Sequence, residues 1–414
     1  MLWPSFRKSR PCLRKARPQP PRSTRVSPAN SAQLATPEVV RRQVNLFDLQ
    51  RQKSRLGAEI ETRIDKVLDH GQFILGPEVE ELEQDLAAFA GVKHAIAVSS
   101  GRDALIMALM ALDIGPGDAV FVPGFTFSAT AGSVASVGAA PVFVDVREDT
   151  FNMDPEDLER AVERVKKDGK LTPKVVMPVD LYGLPADYAA IGKVAAAHGM
   201  KVIADGAQSY GGEAGNSRVG ALAPLTATSF YPTKPLGCYG DGGAIFSTDD
   251  NLADVVRQIR HHGRAGDGDE ALRLGMTGRL DTIQAAVLQV KLAAFEHELG
   301  ARRRLAAMYT ERLKDHIATP VIPNGYDSAY ALYTVRVKNR DGVRAKLQEE
   351  GIGTGLFYRI PLHKHPAFAQ WVREDEHLPV SEALAEDVIS LPIHADLTDE
   401  ELDYVVTHFL KAIA

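Results

Sequence analysis

The stretch T-S-F-Y-P-T-K-P-L-G-C-Y-G-D-G-G-A-I, Thr228 to Ile245, joins two short apolar segments through a stiff, glycine-rich turn. Thr226–Tyr231 and Gly243–Ser247 read as two strands of one sheet, and the turn between them carries Lys234. That lysine is framed by Pro232 and Pro235 and has no acidic residue within five positions. A surface lysine usually stands on a charged helix or loop. Here the prolines fix the backbone, and the glycines let another chain segment or a ligand come close.

Working outward, short apolar runs alternate with helical periodicity. Upstream, helical spacing appears in Leu56–His70 and again in Val79, Leu82, Leu86 and Phe89. Ala95–Val98 reads as a strand leading through S-S-G-R-D into a helix over Ala104–Leu112. Ala119–Pro123, Val142–Val146, Val175–Val179 and Lys201–Ala204 read as further strands, with a helix at Ala189–His198 before the last. Strand–helix alternation of this kind predicts an α/β fold with a large, mostly parallel sheet. Downstream of Arg279 the texture changes. Leu280–Ala318 reads as one long helix, Tyr330–Val337 as a half-exposed strand, and Val343–Glu350 and Glu400–Ile413 as helices. The expected division is a large domain over 43–290 and a smaller C-terminal α+β domain over 291–414.

Composition narrows the function. The chain has 414 residues, 45% hydrophobic and 25% charged, the profile of a soluble globular protein. Its net charge of −6 gives the body of the chain no electrostatic case for nucleic acid. Two distant cysteines, Cys12 and Cys238, suggest neither a disulfide framework nor a metal site. No apolar run is long enough to span a membrane. Residues 1–37 contain no Asp or Glu, many Arg and Lys, and seven prolines (4, 11, 18, 20, 21, 28 and 37). The expectation for residues 1–42 is a disordered basic extension, either a transit-like tail or a dispensable arm, without the apolar block of a secretory signal.

In open α/β sheets ligands sit at the carboxyl ends of the strands, and three features fall there. Gly101, at a strand-to-helix turn, precedes free helix N–H groups and a positive dipole end, a cradle for phosphate. The surrounding S-S-G-R-D is not a G-x-G-x-x-G fingerprint, which weakens a nicotinamide reading. Asp205 ends a buried strand in V-I-A-D-G-A-Q-S and is either a helix cap or a carboxylate partner for a cation. Lys234 follows 29 residues later. An amine is nucleophilic only when neutral, and an apolar setting favours that form. Together these suit pyridoxal phosphate, which needs its phosphate held, its ring nitrogen kept protonated by a carboxylate, and its aldehyde joined to a lysine as a Schiff base. F-T-F at Phe125–Phe127 offers an aromatic face for the ring.

The lysine loop, with D-L-Q-R-Q, G-Q-F-I-L-G-P-E-V, G-P-G-D-A-V-F-V-P-G-F-T-F, A-D-G-A-Q-S, R-L-D-T-I-Q-A-A and Y-R-I-P-L-H, resembles the DegT/DnrJ/EryC1/StrS family of nucleotide-sugar aminotransferases from Val44 onward. The wording is most similar to enzymes that aminate C3 of a UDP-linked 2-acetamido-3-keto-hexuronic acid, with dTDP-3-keto-6-deoxyhexose aminotransferases as the alternative. The resemblance implies a fold-type-I, pyridoxal-phosphate-dependent aminotransferase, a cytoplasmic homodimer with L-glutamate as donor. It implies Lys234 as the Schiff-base lysine, Asp205 on the pyridine nitrogen, Gln208 on the ring hydroxyl and Phe127 stacked on the ring. Gly101, Arg102 and Ser229 would hold the phosphate. Arg279, from the neighbouring subunit, Tyr358 and Arg359 would contact the sugar substrate.

The sequence departs from the family pattern at Arg102, where Thr is usual, at Thr277 for Asn, at Phe357 for His and at Arg359 for Pro. Sugar dehydratases of similar fold place His where Lys234 stands, which argues against a lyase. A non-catalytic cofactor-binding regulator leaves the Lys–Asp–Gln set unexplained. His261 and His262 read as a polar loop edge, His363 and His365 as surface residues, Asp180 as a turn residue and Cys238 as a small buried one.

Overall fold

The computed structural model describes residues 42–266 and 268–414. The expectation for the N-terminal extension therefore lies outside the described residues, save for Arg42. Strands in chain order are β1 (His94–Val98), β2 (Asp118–Pro123), β3 (Ala140–Val144), β4 (Thr172–Val176), β5 (Lys201–Asp205), β6 (Glu213–Ala214), β7 (Ser217–Arg218), β8 (Leu225–Ser229), β9 (Gly243–Ser247), β10 (Tyr326–Asp327), β11 (Tyr333–Arg336) and β12 (Val388–Leu391). Seven of them form the central sheet in the order β1-β9-β8-β5-β4-β2-β3. All neighbours from β8 to β3 run parallel, while β9 is antiparallel to both β8 and β1. The mostly parallel α/β sheet is as the sequence predicts. Its strands are near-continuous apolar runs because helices cover both faces.

The helices are α1 (Leu49–His70), α2 (Pro77–Ala90), α3 (Gly101–Ala111), α4 (Ala129–Ser136), α5 (Pro155–Asp168), α6 (Tyr188–Ala197), α7 (Asp250–Arg260), α8 (Thr282–Ala293), α9 (Phe295–Leu313), α10 (Arg340–Glu349), α11 (Pro379–Asp387) and α12 (Asp399–Ile413). The sequence reading leaves α4, α5, α7 and α11 without an element, although α5 carries clear start and stop signals. Asp154 caps it with Pro155 at its first position, Gly169 ends it in the left-handed conformation, and Leu158, Ala161, Val162 and Val165 form its buried stripe. The expected long helix from Leu280 is two helices. At Ala294 the N–H turns back to Lys291 O, a tightened last turn, and the chain restarts at Phe295, which packs with Phe89 and Tyr210.

One core layer lies between the sheet and α3, α4 and α7, and another between the sheet and α5 and α6. A third packs α2 and α8 against β1, β9 and the lysine loop. Residues from α9, β11, α10, β12 and α12, with Val44, make a further core around Tyr309 and Tyr333. The parallel strands all end on one edge, where Ser100–Gly101 (after β1), Thr126–Phe127 (after β2), Val179 (after β4), Asp205 (end of β5) and Ser229 (end of β8) surround a cavity.

Candidate active site

The cavity measures about 520 Å³ and gathers most of the residues singled out in the sequence. Gly101, Arg102, Phe127, Asp205, Gln208, Ser229, Lys234 and Tyr358 all line it. Arg279 and Arg359 do not. Arg279 Nη1 lies 3.0 Å from His261 Nδ1 of the same chain, beside the edge strand β1. Arg359 is exposed to solvent.

The lysine loop is held by its own backbone. Lys234 N–H donates to Tyr231 O at 2.8 Å, Cys238 N–H to Phe230 O at 2.8 Å, and Phe230 N–H to Gly242 O at 2.8 Å. Gly237 is required because a Cβ there would lie 2.5 Å from Pro232 O. Cys238 is buried as expected, its thiol against Phe230 O and Gly240 O. Among the described residues, the Lys234 amine makes no hydrogen bond or ion pair. Burial pulls it down to about 8, with the Asp205 carboxylate pulling the other way. This lysine is thus poised between its charged and nucleophilic forms near neutral pH.

Asp205 closes β5, whose register (Ile203↔Leu225, Asp205↔Ala227) fixes the carboxylate at the sheet end. It is 5% exposed, accepts a hydrogen bond from the Thr130 hydroxyl at 2.8 Å and another from Ala207 N–H at 3.2 Å. Burial pushes its pKa up, and these two donors and Lys234 oppose that. The cap reading therefore holds only for Ala207. The carboxylate retains acceptor capacity toward the cavity.

The opposite wall is the start of α3. Ser100 caps it through Asp103 N–H at 3.0 Å, leaving the first-turn N–H groups of Gly101 and Arg102 without intrahelical partners. A Cβ on Gly101 would sit 2.6 Å from Ser229 Cβ, and one on Gly243 would sit 2.6 Å from the Ser100 carbonyl carbon. The cradle is thus shaped by absent side chains. The Arg102 guanidinium turns from the helix start to donate to Ser136 Oγ at 2.9 Å, so its N–H is what remains at the cradle.

Gln208 is oriented from both ends. Its Oε1 accepts Tyr182 N–H at 2.9 Å, and its Nε2 donates to Tyr358 OH at 3.3 Å. Phe127 is 56% exposed, its ring 6.0 Å from that of Tyr358.

Other residues carry weight the sequence reading did not give them. Asp180 is fully buried rather than a simple turn residue. It accepts from Ala186 N–H (2.8 Å) and the hydroxyls of Tyr188 (2.7 Å) and Ser209 (2.7 Å), and burial pushes it up to about 6. Thr130 escapes notice inside the small-residue helix A-T-A-G-S-V-A-S. Lys291, at the end of the apolar run in α8, is 2% exposed, and its amine donates to Gly237 O at 2.6 Å and sits 4.3 Å from the Tyr239 ring. An ammonium in an otherwise apolar helix face was the available signal. His363 is buried on Glu382 at 2.9 Å, not at the surface.

The set fits pyridoxal phosphate. Among the described residues, the cavity offers an anion cradle that any Cβ would fill, a buried carboxylate, an unpartnered amine, and the buried Thr126 hydroxyl with no partner of its own. The family profile described as the DegT/DnrJ/EryC1/StrS aminotransferase family matches residues 54–410.

The chain belongs to the DegT/DnrJ/EryC1/StrS aminotransferase family.

Its similarity to other members of this aminotransferase family runs the length of the described chain. It is 47% identical over 354 residues to the UDP-2-acetamido-2-deoxy-3-oxo-D-glucuronate aminotransferase of Pseudomonas aeruginosa, covering 85% of this chain and 95% of that one. A crystal structure of a DegT DnrJ EryC1 StrS aminotransferase from Brucella abortus superposes with a TM-score of 0.88 at 46% identity, covering 90% of this chain and 100% of that one. The crystal structure of ntda from Bacillus subtilis with bound cofactor PMP superposes with a TM-score of 0.82 at 28% identity, covering 90% and 85% respectively.

Proposed function

We propose that this aminotransferase uses pyridoxal phosphate to move an amino group from L-glutamate to C3 of a UDP-linked 2-acetamido-3-keto-hexuronic acid. The observation that carries the reading is the free Lys234 amine, lowered to about 8, in one cavity with the Asp205 carboxylate and the Gly101 cradle. The substrate class rests on the relative from Pseudomonas aeruginosa, 47% identical.

Pyridoxal phosphate, when bound, supplies an aldehyde that condenses with amines and a ring that takes up electrons. The chain supplies the rest. The N–H groups of Gly101 and Arg102, with the Ser229 hydroxyl, would hold the phosphate. Asp205 would keep a proton on the ring nitrogen, and the Thr130 hydrogen bond favours its ionised form and orients it. Phe127 and Tyr358 line the cavity as aromatic walls, and Phe127 would stack on the cofactor ring. Lys234 Nζ takes a proton from the donor's α-carbon and returns it elsewhere, as base and then acid. The same amine runs the reverse transfer for the keto-sugar.

Exposed apolar side chains support a homodimer. Phe73, Ile74, Tyr231, Leu272 and Leu274 are 47%, 48%, 54%, 56% and 86% exposed. In such a dimer Arg279 would serve the neighbouring subunit's sugar, since it stands outside its own cavity. Among the described residues no helix is long and apolar enough to cross a membrane. A cytoplasmic place fits the nucleotide-sugar substrate.

The test is an absorbance spectrum of the purified protein. A visible cofactor band should bleach with L-glutamate and return with the UDP-3-keto-hexuronate, and Lys234→Ala should retain cofactor without either change. Normal turnover by Lys234→Ala would sink the assignment, and a band indifferent to glutamate would remove the donor.

A further inference from the structure

Asp180 lies just beyond β4 and is fully buried, yet the chemistry described so far gives it no task. Its Oδ1 accepts Ala186 N–H at 2.8 Å and the Tyr188 hydroxyl at 2.7 Å, and its Oδ2 accepts the Ser209 hydroxyl at 2.7 Å. Among the described residues no cation pairs with it. Burying a carboxylate is costly unless donors surround it, and these donors come from two separate turns. One turn, 180–186, starts at Asp180 itself. The other, 206–209, follows β5 and carries Gln208. Their roots are joined through backbone alone, with Asp180 N–H donating to Asp205 O at 3.1 Å and Asp205 N–H to Pro178 O at 2.9 Å. The Asp180 side chain adds a tie farther out, at Ser209.

Gln208 stands between the two turns. Tyr182 N–H, from the first turn, donates to Gln208 Oε1 at 2.9 Å. A backbone N–H can only donate, so the amide end facing Tyr182 is the oxygen, and the NH2 end is left toward Tyr358 OH and the cavity. Tyr182 offers that N–H from a left-handed backbone conformation, φ 59°, which a bulky residue keeps only where its surroundings enforce it. Its own hydroxyl donates to Phe357 O, beside Tyr358. The orientation of the amide thus depends on where the 180–186 turn is fastened.

Resting on the proposed contact of Gln208 with the cofactor's ring hydroxyl, we infer that Asp180 is a positioning residue. By fastening the 180–186 turn to Ser209 it holds Tyr182 N–H against Gln208, and so decides which end of the amide meets the ring oxygen. The fastening needs hydrogen bonds, not charge. An asparagine can keep it, with Oδ1 taking Ala186 N–H and the Tyr188 hydroxyl and Nδ2 donating to the Ser209 oxygen, because a hydroxyl can turn from donor to acceptor. A leucine, of similar size, keeps none of it.

Two readouts test this. In the cofactor-free protein, hydrogen–deuterium exchange of the 181–186 segment should quicken about tenfold or more in Asp180→Leu, less in Ser209→Ala, and stay at the parent rate in Asp180→Asn. In the holoenzyme, the visible cofactor band should move in Asp180→Leu and Ser209→Ala in the same direction as in Gln208→Ala, and stay in place in Asp180→Asn. Ser209→Ala cuts a single tie, so it carries the test if Asp180→Leu does not fold. An Asp180→Asn band displaced as far as that of Asp180→Leu would make charge rather than the tie decisive, and overturns the inference. So do parent-like bands in Asp180→Leu and Ser209→Ala when Gln208→Ala moves its own. Bleaching of the parent enzyme by glutamate is recorded in parallel. If the parent bleaches but Gln208→Ala leaves the band unmoved, the ring contact of Gln208 fails and this inference with it, while transamination stands. No bleaching defeats the aminotransferase reading beneath both.

Discussion

Replacing Lys291 by methionine separates loop placement from stability. Burial pulls this amine from 10.5 down to about 8, against Glu298, so at neutral pH a charged ammonium is held in a poor solvent. At about 1.4 kcal/mol per pH unit that shift costs the folded state on the order of 3 kcal/mol. Methionine removes that cost but leaves the buried Gly237 carbonyl without its donor, a loss of about 1–3 kcal/mol. The two sides nearly cancel. Lys291→Met should therefore move the melting temperature by no more than about 3 °C. It should nevertheless lower kcat by about 10- to 100-fold, because Gly237 lies in the Lys234 loop and a displacement near 1 Å is enough for such a loss. The pH dependence gives an independent check. Between pH about 8 and 10.5 the unfolded chain keeps the Lys291 proton that the folded chain has lost, so the parent's stability rises with pH there. Lys291→Met should lack that part of the rise, read as the difference between the two proteins so that Lys234 cancels. A variant that melts more than about 10 °C lower, with unchanged activity per folded molecule, would refute the balance.

Three further outcomes follow from the same geometry. The rate at which cofactor-free protein captures pyridoxal phosphate should climb with pH with its inflection near 8, where burial places the Lys234 amine; an inflection near 10.5 would show that the cavity leaves the amine unperturbed. Thr130→Val removes a hydrogen bond to the Asp205 carboxylate, a loss of about 1.5–3 kcal/mol, so cofactor affinity by equilibrium dialysis should fall about tenfold or more. Unchanged affinity would make Thr130 a packing residue. Gly101→Ala places a methyl 2.6 Å from Ser229 Cβ, and the variant should fold but elute from gel filtration without cofactor. Full retention of the cofactor and its spectrum would mean that the cradle is elsewhere.

What the sequence discloses is what can be read along one strand or one loop. Asp205 follows a buried run, Lys234 stands between prolines, and Gly101 opens a helix, so each announces itself locally. The parallel sheet is legible for the same reason, as alternating periodicities. Contacts made across the fold are not. Thr130 and Asp205 are 75 residues apart, and only packing of α4 on the sheet end makes the hydroxyl a carboxylate donor. Asp180 looks like a turn residue because D-L-Y-G is a turn, yet its burial depends on Tyr188 and Ser209. His363 is withdrawn from the surface by Glu382 in α11, a helix that sequence periodicity did not reveal. The direction of Arg102 is decided by Ser136, 34 residues away.

The antiparallel strand β9 has a consequence for how the protein is made. Among the described residues β1 lies at the sheet edge with β9 as its one strand partner, His94 opposite Ser247 and Val98 opposite Gly243. The ribosome delivers β1 roughly 150 residues before that partner, a pairing of high contact order. Until Gly243 arrives, the backbone at Ser100 and Gly101 has no floor, and the loop bearing Lys234 has no second anchor. Anion cradle and amine are therefore completed by the same late threading event. A nascent chain halted before Gly243 offers a reactive aldehyde no half-built pocket in which to be trapped, and cofactor capture becomes a report that synthesis has passed this point.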